Sequence, residues 1–314
     1  MVLDIIVIGG GPAGLTAGIY ARTRNLSTLI LEAEQAGGQL AWLYPTKSVY
    51  DYPSYIGIEG EDLGQMFVEH ARVNGCEIRE GETVERVKRG KNSFLVTTNR
   101  GTYEGRTIIL AIGNGLFNPR RLGIPGEAEF EGNGVHYRVR DRRDFKNKRV
   151  LVVGGGDSAL EIALEVVAGA REVTLVHRRA EFRAMEKNVE ALLKSPVKVL
   201  YNSELVNIEG ADGALDAVVY DNQTLDKTVK RVEAIIINVG FEPLQTKVEK
   251  WGLELEGDRN IKVKPDMSTS VPGIFACGDV VWYPSKEKRI VTGCGEAVTA
   301  VISAYKLLKT PYWA

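Results

Sequence analysis

Two short glycine-rich stretches hold the residues best suited to chemistry. Gly9-Gly-Gly-Pro-Ala-Gly14 follows the β-branched run Asp4-Ile-Ile-Val-Ile8, and Gly154-Gly-Gly-Asp-Ser-Ala159 follows Arg149-Val-Leu-Val-Val153. A glycine turn of this kind, between a strand and a helix, has a physical use. Its first glycine permits the tight turn and its second lets a pyrophosphate approach the backbone. The third, or an alanine in its place, lets the helix pack on the strand. The phosphates then meet unpaired N–H groups at the positive end of the helix dipole. Gly9, Gly11 and Gly14, with Pro12 and Ala13 opening the helix, form the first expected phosphate site. Gly154, Gly155 and Gly156, with Asp157 and Ser158 at the helix start, form the second.

The strand after each helix separates two ligands. Glu32 follows Gly9 by 23 residues, and His177 follows Gly154 by the same 23. An acid at that position suits a ribose with free hydroxyls, as in FAD or NAD. The second unit has His177, Arg178 and Arg179 there, with Arg183 close behind. An acid would repel a 2′-phosphate, whereas guanidinium groups pair with one bidentately. NADPH is expected on the second turn.

A third set of residues lies downstream. Gly273-Ile-Phe-Ala-Cys-Gly-Asp279 reads as a short strand ending in Gly278 and Asp279. A carboxylate at a strand end can hold the ribityl hydroxyls of a flavin. Gly293-Cys-Gly-Glu-Ala297 opens an expected helix from about Ala297 to Leu308. Its N-terminus, with Glu296 and Ala297, can face the flavin pyrimidine oxygen and stabilise an anionic reduced ring.

The elements that must position these groups follow from the apolar pattern. Helices are expected over Leu15–Arg24 and Leu160–Ala168, and returning strands over Thr28–Leu31 and Val173–Val176. The apolar runs Thr107–Gly113 and Ala234–Gly240 read as strands leaving one domain and entering the other. The expected fold class is α/β, with two Rossmann-like dinucleotide-binding domains, one for FAD and one for NADPH. Residues 1–116 with 241–314 would form the first, residues 117–240 an inserted second, and the loops Pro119–Gly134 and Gly240–Lys247 the hinges.

Composition agrees. At 314 residues the chain is about twice the typical domain length of roughly 150. Apolar residues make up 44% and charged residues 26%, which excludes a disordered chain. A net charge of -1 gives no support to nucleic-acid binding. No apolar run approaches the ~18–20 residues a membrane span needs. The N-terminus does not read as a signal peptide, since Asp4 falls inside the first apolar run. Cys76, Cys277 and Cys294 are too scattered for a disulfide framework, and no metal site is expected. The expectation is a cytoplasmic two-domain enzyme.

The combination resembles the two-dinucleotide-domain flavoproteins of the thioredoxin reductase type, over essentially the whole chain. Gly9–Gly14 with Glu32, Gly37-Gly-Gln-Leu40, Ala111–Gly113, Gly154–Ala159 and Cys277-Gly-Asp279 fall in that family's order. His177-Arg-Arg179 with Phe182-Arg-Ala184 matches its NADPH signature. One departure is decisive. The family's redox-active Cys-x-x-Cys follows a Val-x-Tyr sequence, but here Val135-His-Tyr137 leads into Arg138-Val-Arg-Asp141. The chain is more similar to the ferredoxin (flavodoxin)–NADP reductase branch, through Gly37–Pro45, Gly113–Pro119, Val135–Tyr137 and Thr292–Ala297.

The resemblance implies FAD contacts from Glu32, Gly38, Gln39, Leu40, Tyr44, Val84, Ala111, Gly113, Phe117 and Asp279, with Tyr44 stacked on the isoalloxazine. It also implies a homodimer. Members of that branch usually continue past the last helix, whereas this chain stops at Thr310-Pro-Tyr-Trp-Ala314, so either Tyr312 or Trp313 covers the second flavin face or that face is open.

Three functions remain open at this point. The first is electron transfer between NADPH and a one-electron carrier, ferredoxin or flavodoxin, through FAD. No side-chain acid or base is needed for that, so no catalytic residue is singled out. The second is reduction of a small disulfide, with Cys277 or Cys294 as a lone nucleophile. The third is a non-catalytic FAD/NADPH binder. The segment 138–149 carries seven basic residues against two acids, and Arg120 and Arg121 lie just upstream. This suits docking of an acidic carrier.

Overall fold

The computed structural model describes residues 2–115, 117–211, 213–243 and 247–309. The chain forms two compact units, Met1–Leu116 with Pro243–Ala314, and Phe117–Glu242.

In the first unit the strand Val2–Ile8 lies between Thr28–Leu31 and Thr102–Leu110, parallel to both. Its run of apolar residues is explained by burial on both faces. Ile5 and Val7 pack on one side with the helices Pro12–Thr23 and Ile290–Leu308, while Ile6 and Ile8 pack on the other with Val248, Leu253 and Ile261. Glu77–Arg79 extends the sheet beyond Thr28–Leu31, and Ile274–Ala276 runs parallel to Thr102–Leu110. Register brings four strand ends together. Ile8 pairs with Leu31 and with Leu110, and Leu110 pairs with Ala276. Gly9, Glu32, Ala111 and Cys277 are the next residues on these strands, along one carboxyl edge.

The second unit repeats the plan. Arg149–Gly154 lies between Glu172–Val176 and Ala234–Asn238 in a five-stranded parallel sheet. Val150 and Val152 pack with the helix Asp157–Val166, and Leu151 and Val153 pack with a three-stranded antiparallel sheet spanning Ser203–Val232. Val153 pairs with Val176 and Ile237, so Gly154, His177 and Asn238 share an edge.

Several boundaries differ from expectation. The glycine-turn helices begin at Pro12 and Asp157, because proline and aspartate suit a first turn. The last helix begins at Ile290, seven residues before Ala297. Gly293 and Gly295 are expected ahead of the helix body, yet Gly293 lies inside the helix where a Cβ would stand 3.2 Å from the Gly278 Cα. This helix also has the length and composition to cross a membrane, which no single apolar run in the sequence signalled. Here Glu296, Ala297, Ala300, Val301 and Ala304 are buried within the first unit. The loop expected as the first hinge is a packed part of the second unit. Glu127, 3% exposed, accepts the N–H groups of Leu122 and Gly123 and the Tyr137 hydroxyl, which ties residues 122–127 to the strand Val135–His136 and its neighbour. Residues 244–246 of the other expected hinge lie outside the described residues.

Candidate functional site

The first glycine turn is shaped by close approaches. A Cβ at Gly9 would stand 2.3 Å from the Ala111 carbonyl oxygen, and one at Gly14 would overlap the Gly9 carbonyl. Gly11 differs. A Cβ there would meet only the Gly38 Cα, at 3.8 Å, so the protein itself does not require this residue to be small. Gly11 caps the helix Pro12–Thr23 without any side-chain acceptor for the first N–H groups, and the first turn holds no acid. Free donors behind an open glycine make a cradle for an anionic pyrophosphate.

Glu32 stands beside the cradle. Its carboxylate accepts the Gly10 N–H at 2.6 Å and the Glu34 N–H at 2.9 Å, and the residue is 9% exposed. Burial pushes its pKa above the ordinary carboxylate value, opposed by those two N–H donors. Two backbone donors orient the carboxylate and leave lone pairs for ribose hydroxyls. The Glu82 N–H donates to the Glu32 carbonyl at 2.8 Å, which places Val84, two residues on, near the same strand end.

Gly38 lies against Gly11, since a Cβ on it would stand 2.7 Å from the Gly11 Cα. The short helix Gln39–Trp42 starts there, and the Gln39 amide nitrogen comes within 3.5 Å of where a Gly113 Cβ would be. Leu40 and Tyr44 are half-buried, and the Lys47 ammonium lies 5.7 Å from the Tyr44 ring centroid. Phe117 begins the strand Phe117–Pro119; its side chain, and all of Tyr312 and Trp313, lie outside the described residues.

Asp279 follows Gly278 and accepts the Asn114 side-chain amide at 3.2 Å. Asn114 in turn accepts the Lys288 ammonium at 2.9 Å. A cleft of about 260 Å³ opens beside Asn114, between Gly113, Gly115, Arg259 and Lys288. Asn114 and Lys288 were not anticipated from sequence. Asn114 stands between two glycines after a buried strand, which was a usable signal, whereas Lys288 carried none.

Glu296 and Ala297 need correction as ligand contacts. Ala297 is 0% exposed, two turns inside its helix, and the free helix N–H groups belong to the turn beginning at Ile290. The Glu296 carboxylate is taken up by the Gly278 N–H, the Tyr283 hydroxyl and Lys286.

The second turn repeats the first with different chemistry. A Gly154 Cβ would stand 2.3 Å from the Asn238 carbonyl oxygen, whereas a Gly156 Cβ would meet only the Arg183 carbonyl, at 3.7 Å. Gly156 caps its helix without a side-chain acceptor. His177 fills the space behind Gly155 as Glu32 does behind Gly10. Its Nε2 bonds the Glu181 carbonyl at 2.8 Å, and its ring stacks on Phe182 at 5.0 Å. A carbonyl can only accept, so Nε2 carries the proton. Asp157 accepts the Met185 N–H and the Asn188 amide, both at 2.8 Å, and so anchors the loop after Arg183. The Arg183 N–H donates to the Gly155 carbonyl at 2.8 Å. Ser158 is half-buried on the first helical turn, while Arg178, Arg179 and Arg183 are exposed and, among the described residues, in no ion pair.

The cysteines do not suit nucleophilic work. Cys277 is 0% exposed and burial drives its thiol far above the ordinary value. Burial also raises the half-buried Cys294, which accepts the Thr16 hydroxyl at 3.3 Å, and pushes Cys76 to about 11. All three are free thiols, and a thiolate is the reactive form.

The basic segment is smaller than its residue count. Arg149 is paired with Glu233 through its backbone and guanidinium, Arg143 is paired with Asp141, and Arg138 is half-buried with its guanidinium carbon 5.8 Å from the Phe241 ring centroid. Arg140, Arg142 and Lys146 are exposed.

A buried acid behind one glycine turn and a fringe of guanidinium groups beside the other define an oxidoreductase with two dinucleotide-binding domains. The chain belongs to the pyridine nucleotide-disulphide oxidoreductase family, whose pattern matches residues 3–304. It is 43% identical to a ferredoxin–NADP reductase of Thermus thermophilus, over 95% of this chain and 90% of that one. It is 41% identical to a ferredoxin–NADP reductase of Sulfurisphaera tokodaii, over 97% and 93%. Among solved structures, a thioredoxin reductase of Lactococcus lactis is similar with a TM-score of 0.78 and 33% identity, covering 98% of this chain and 99% of that chain.

Proposed function

We propose that this protein is an FAD-dependent oxidoreductase that passes electrons between NADPH and ferredoxin without a dithiol of its own. The observation that carries the reading is the matched pair of glycine turns. One is backed by the buried Glu32, and the other is fringed by exposed Arg178, Arg179 and Arg183. The names of the relatives support ferredoxin as the carrier, and the buried Cys277 with the raised thiols of Cys277 and Cys294 argues against a small-disulfide reductase.

When bound, FAD would supply the link between two-electron hydride chemistry with NADPH and the one-electron exchange that a one-electron carrier requires. The residues of the chain supply the positioning. The first turn of the helix Pro12–Thr23 would bind the pyrophosphate, Glu32 would accept from the adenosine ribose, and Asp279 would accept from the ribityl chain. On the second unit, Gly154–Gly156 with Asp157 and Ser158 would bind the NADPH pyrophosphate. Arg178, Arg179 and Arg183 would hold the 2′-phosphate, with His177 supporting the turn from behind. Tyr44 would stack on the flavin ring.

The test is NADPH-driven reduction of ferredoxin by the purified, yellow protein. Turnover with ferredoxin supports the reading; reduction of a small dye with none of ferredoxin overturns the choice of carrier. The exposed Arg140 and Arg142 make this sharper. Reversing both to glutamate is expected to slow ferredoxin reduction roughly fivefold or more at low salt and to flatten its salt dependence, with dye reduction unchanged. Unchanged ferredoxin turnover would move the docking surface elsewhere. Flavodoxin as a second acidic carrier, a homodimeric state and a cytoplasmic location belong to the same proposal. Flavodoxin turnover and sedimentation of the purified protein check the first two.

A further inference from the structure

Lys286 and Glu296 form an ion pair inside the first unit, each side chain 5% exposed. Glu296 lies on the helix Ile290–Leu308, and Lys286 lies on the segment joining the strand Val281–Trp282 to that helix. One carboxylate oxygen accepts the Gly278 N–H at 2.8 Å. The other accepts the Tyr283 hydroxyl at 2.6 Å together with the Lys286 ammonium. Burial and the bond to Glu296 push the Tyr283 hydroxyl up to about 12, so it remains a donor.

A buried ion pair is a poor source of stability, because desolvation costs several kcal/mol per ion and apolar side chains of equal volume often do as well. What it supplies is direction. Gly278 has φ +82°, and its Cα is pressed by neighbours. A Cβ at Gly293 would stand 3.2 Å from it, and a Cβ on Gly278 itself would stand 3.1 Å from the Ala13 Cβ. The grip of Glu296 on Gly278 therefore acts between the first turn of the helix Pro12–Thr23 and the carboxylate of Asp279. From the other side, Lys288 holds Asn114, which holds Asp279. One short segment thus supplies a lysine to each side of the Gly278-Asp279 turn.

We propose that Lys286 is a positioning residue for the flavin-binding turn: it pairs with Glu296, which grips the Gly278 N–H and so aims the Asp279 carboxylate at the ribityl chain of bound FAD. The inference rests on the FAD reading above. Removing Lys286 leaves a buried carboxylate without its cation, and the grip on Gly278 relaxes whichever way that charge is relieved.

The experiment follows FAD release from the purified holoprotein on dilution, by recovery of flavin fluorescence. Lys286→Met is expected to release FAD roughly tenfold faster than wild type, and Glu296→Gln roughly fivefold faster, the usual scale for losing one charge-assisted bond. Lys286→Arg keeps the charge and should stay within about twofold. Affinity of the second unit for 2′-phosphoadenosine 5′-phosphate should be unchanged in all three, which a general loss of folding would not allow. A folded Lys286→Met protein releasing FAD at the wild-type rate overturns the inference, as does Lys286→Arg behaving like Lys286→Met. If Lys286→Met does not fold, Glu296→Gln decides, and a wild-type release rate in that variant overturns it. Wild-type protein that neither carries nor takes up FAD overturns the FAD reading and this inference together; loaded wild type with unchanged variants overturns this inference alone.

Discussion

Gly11→Val is expected to yield a folded protein without colour. Gly11 has φ -77° and ψ -177°, an extended conformation that valine adopts without strain. The space beside it is open, since a Cβ there would have only the Gly38 Cα nearby, at 3.8 Å. The protein therefore tolerates the change, and a ligand approaching the turn does not. Valine methyl groups would keep a pyrophosphate from the free N–H groups at the helix start. Each lost bond to a charged oxygen is worth about 1.5–3 kcal/mol, so losing two lowers affinity roughly a hundredfold or more. Flavin absorbance per chain should fall from near one to below about a tenth. Far-UV circular dichroism and nucleotide binding by the second unit should be unchanged. Gly14→Ala is the contrasting case, because its Cβ would overlap the Gly9 carbonyl, and soluble protein should be lost. A Gly11→Val protein that purifies with full FAD would show that this turn does not hold the pyrophosphate.

Replacing Arg178 and Arg179 with alanine should abolish most of the preference for NADPH over NADH. Both guanidinium groups are exposed and, among the described residues, in no ion pair, so their removal leaves no buried carboxylate behind. Two charge-assisted contacts to a 2′-phosphate are worth about 1.5–3 kcal/mol each before solvent screening. Screening at exposed positions reduces this, and roughly a tenfold rise or more in the KM for NADPH remains. The KM for NADH should move less than about twofold, since NADH carries no 2′-phosphate. Added salt should weaken NADPH binding in the wild type and have little effect in the variant. Equal changes for both nucleotides would mean that these arginines do not read the phosphate. His177 belongs outside this test, because its ring supports Gly155 from behind and its loss would disturb the turn itself.

The two glycine units were legible because their chemistry is local. A β-branched run, a glycine turn, a helix and a second strand lie within some thirty residues, and the 23-residue spacing to Glu32 and His177 is set by one helix and one strand. The absence of a dithiol after Tyr137 is likewise read directly from contiguous residues. What lies beyond is decided by pairs distant in the chain. Glycine disfavours a helix interior by about 1 kcal/mol, so Gly293 and Gly295 argued for a later helix start, and the close packing of Gly293 against Gly278 and Ala13 inside a helix from Ile290 exists only in the folded chain. Asn114 reaches Asp279 across 165 residues, and Arg149 finds Glu233 across 84, which removes it from the basic segment. Glu296 looked like a ligand contact at a helix start, and sheet register with a buried lysine made it a support for Gly278 instead. The sequence by itself determined where the two strand–glycine–helix units lie and that Glu32 ends the second strand of one and His177 that of the other, because those properties belong to neighbouring residues. Only the tertiary structure decided which charges stay free for a ligand and which are consumed inside the protein, because that depends on partners that folding alone brings within hydrogen-bond distance.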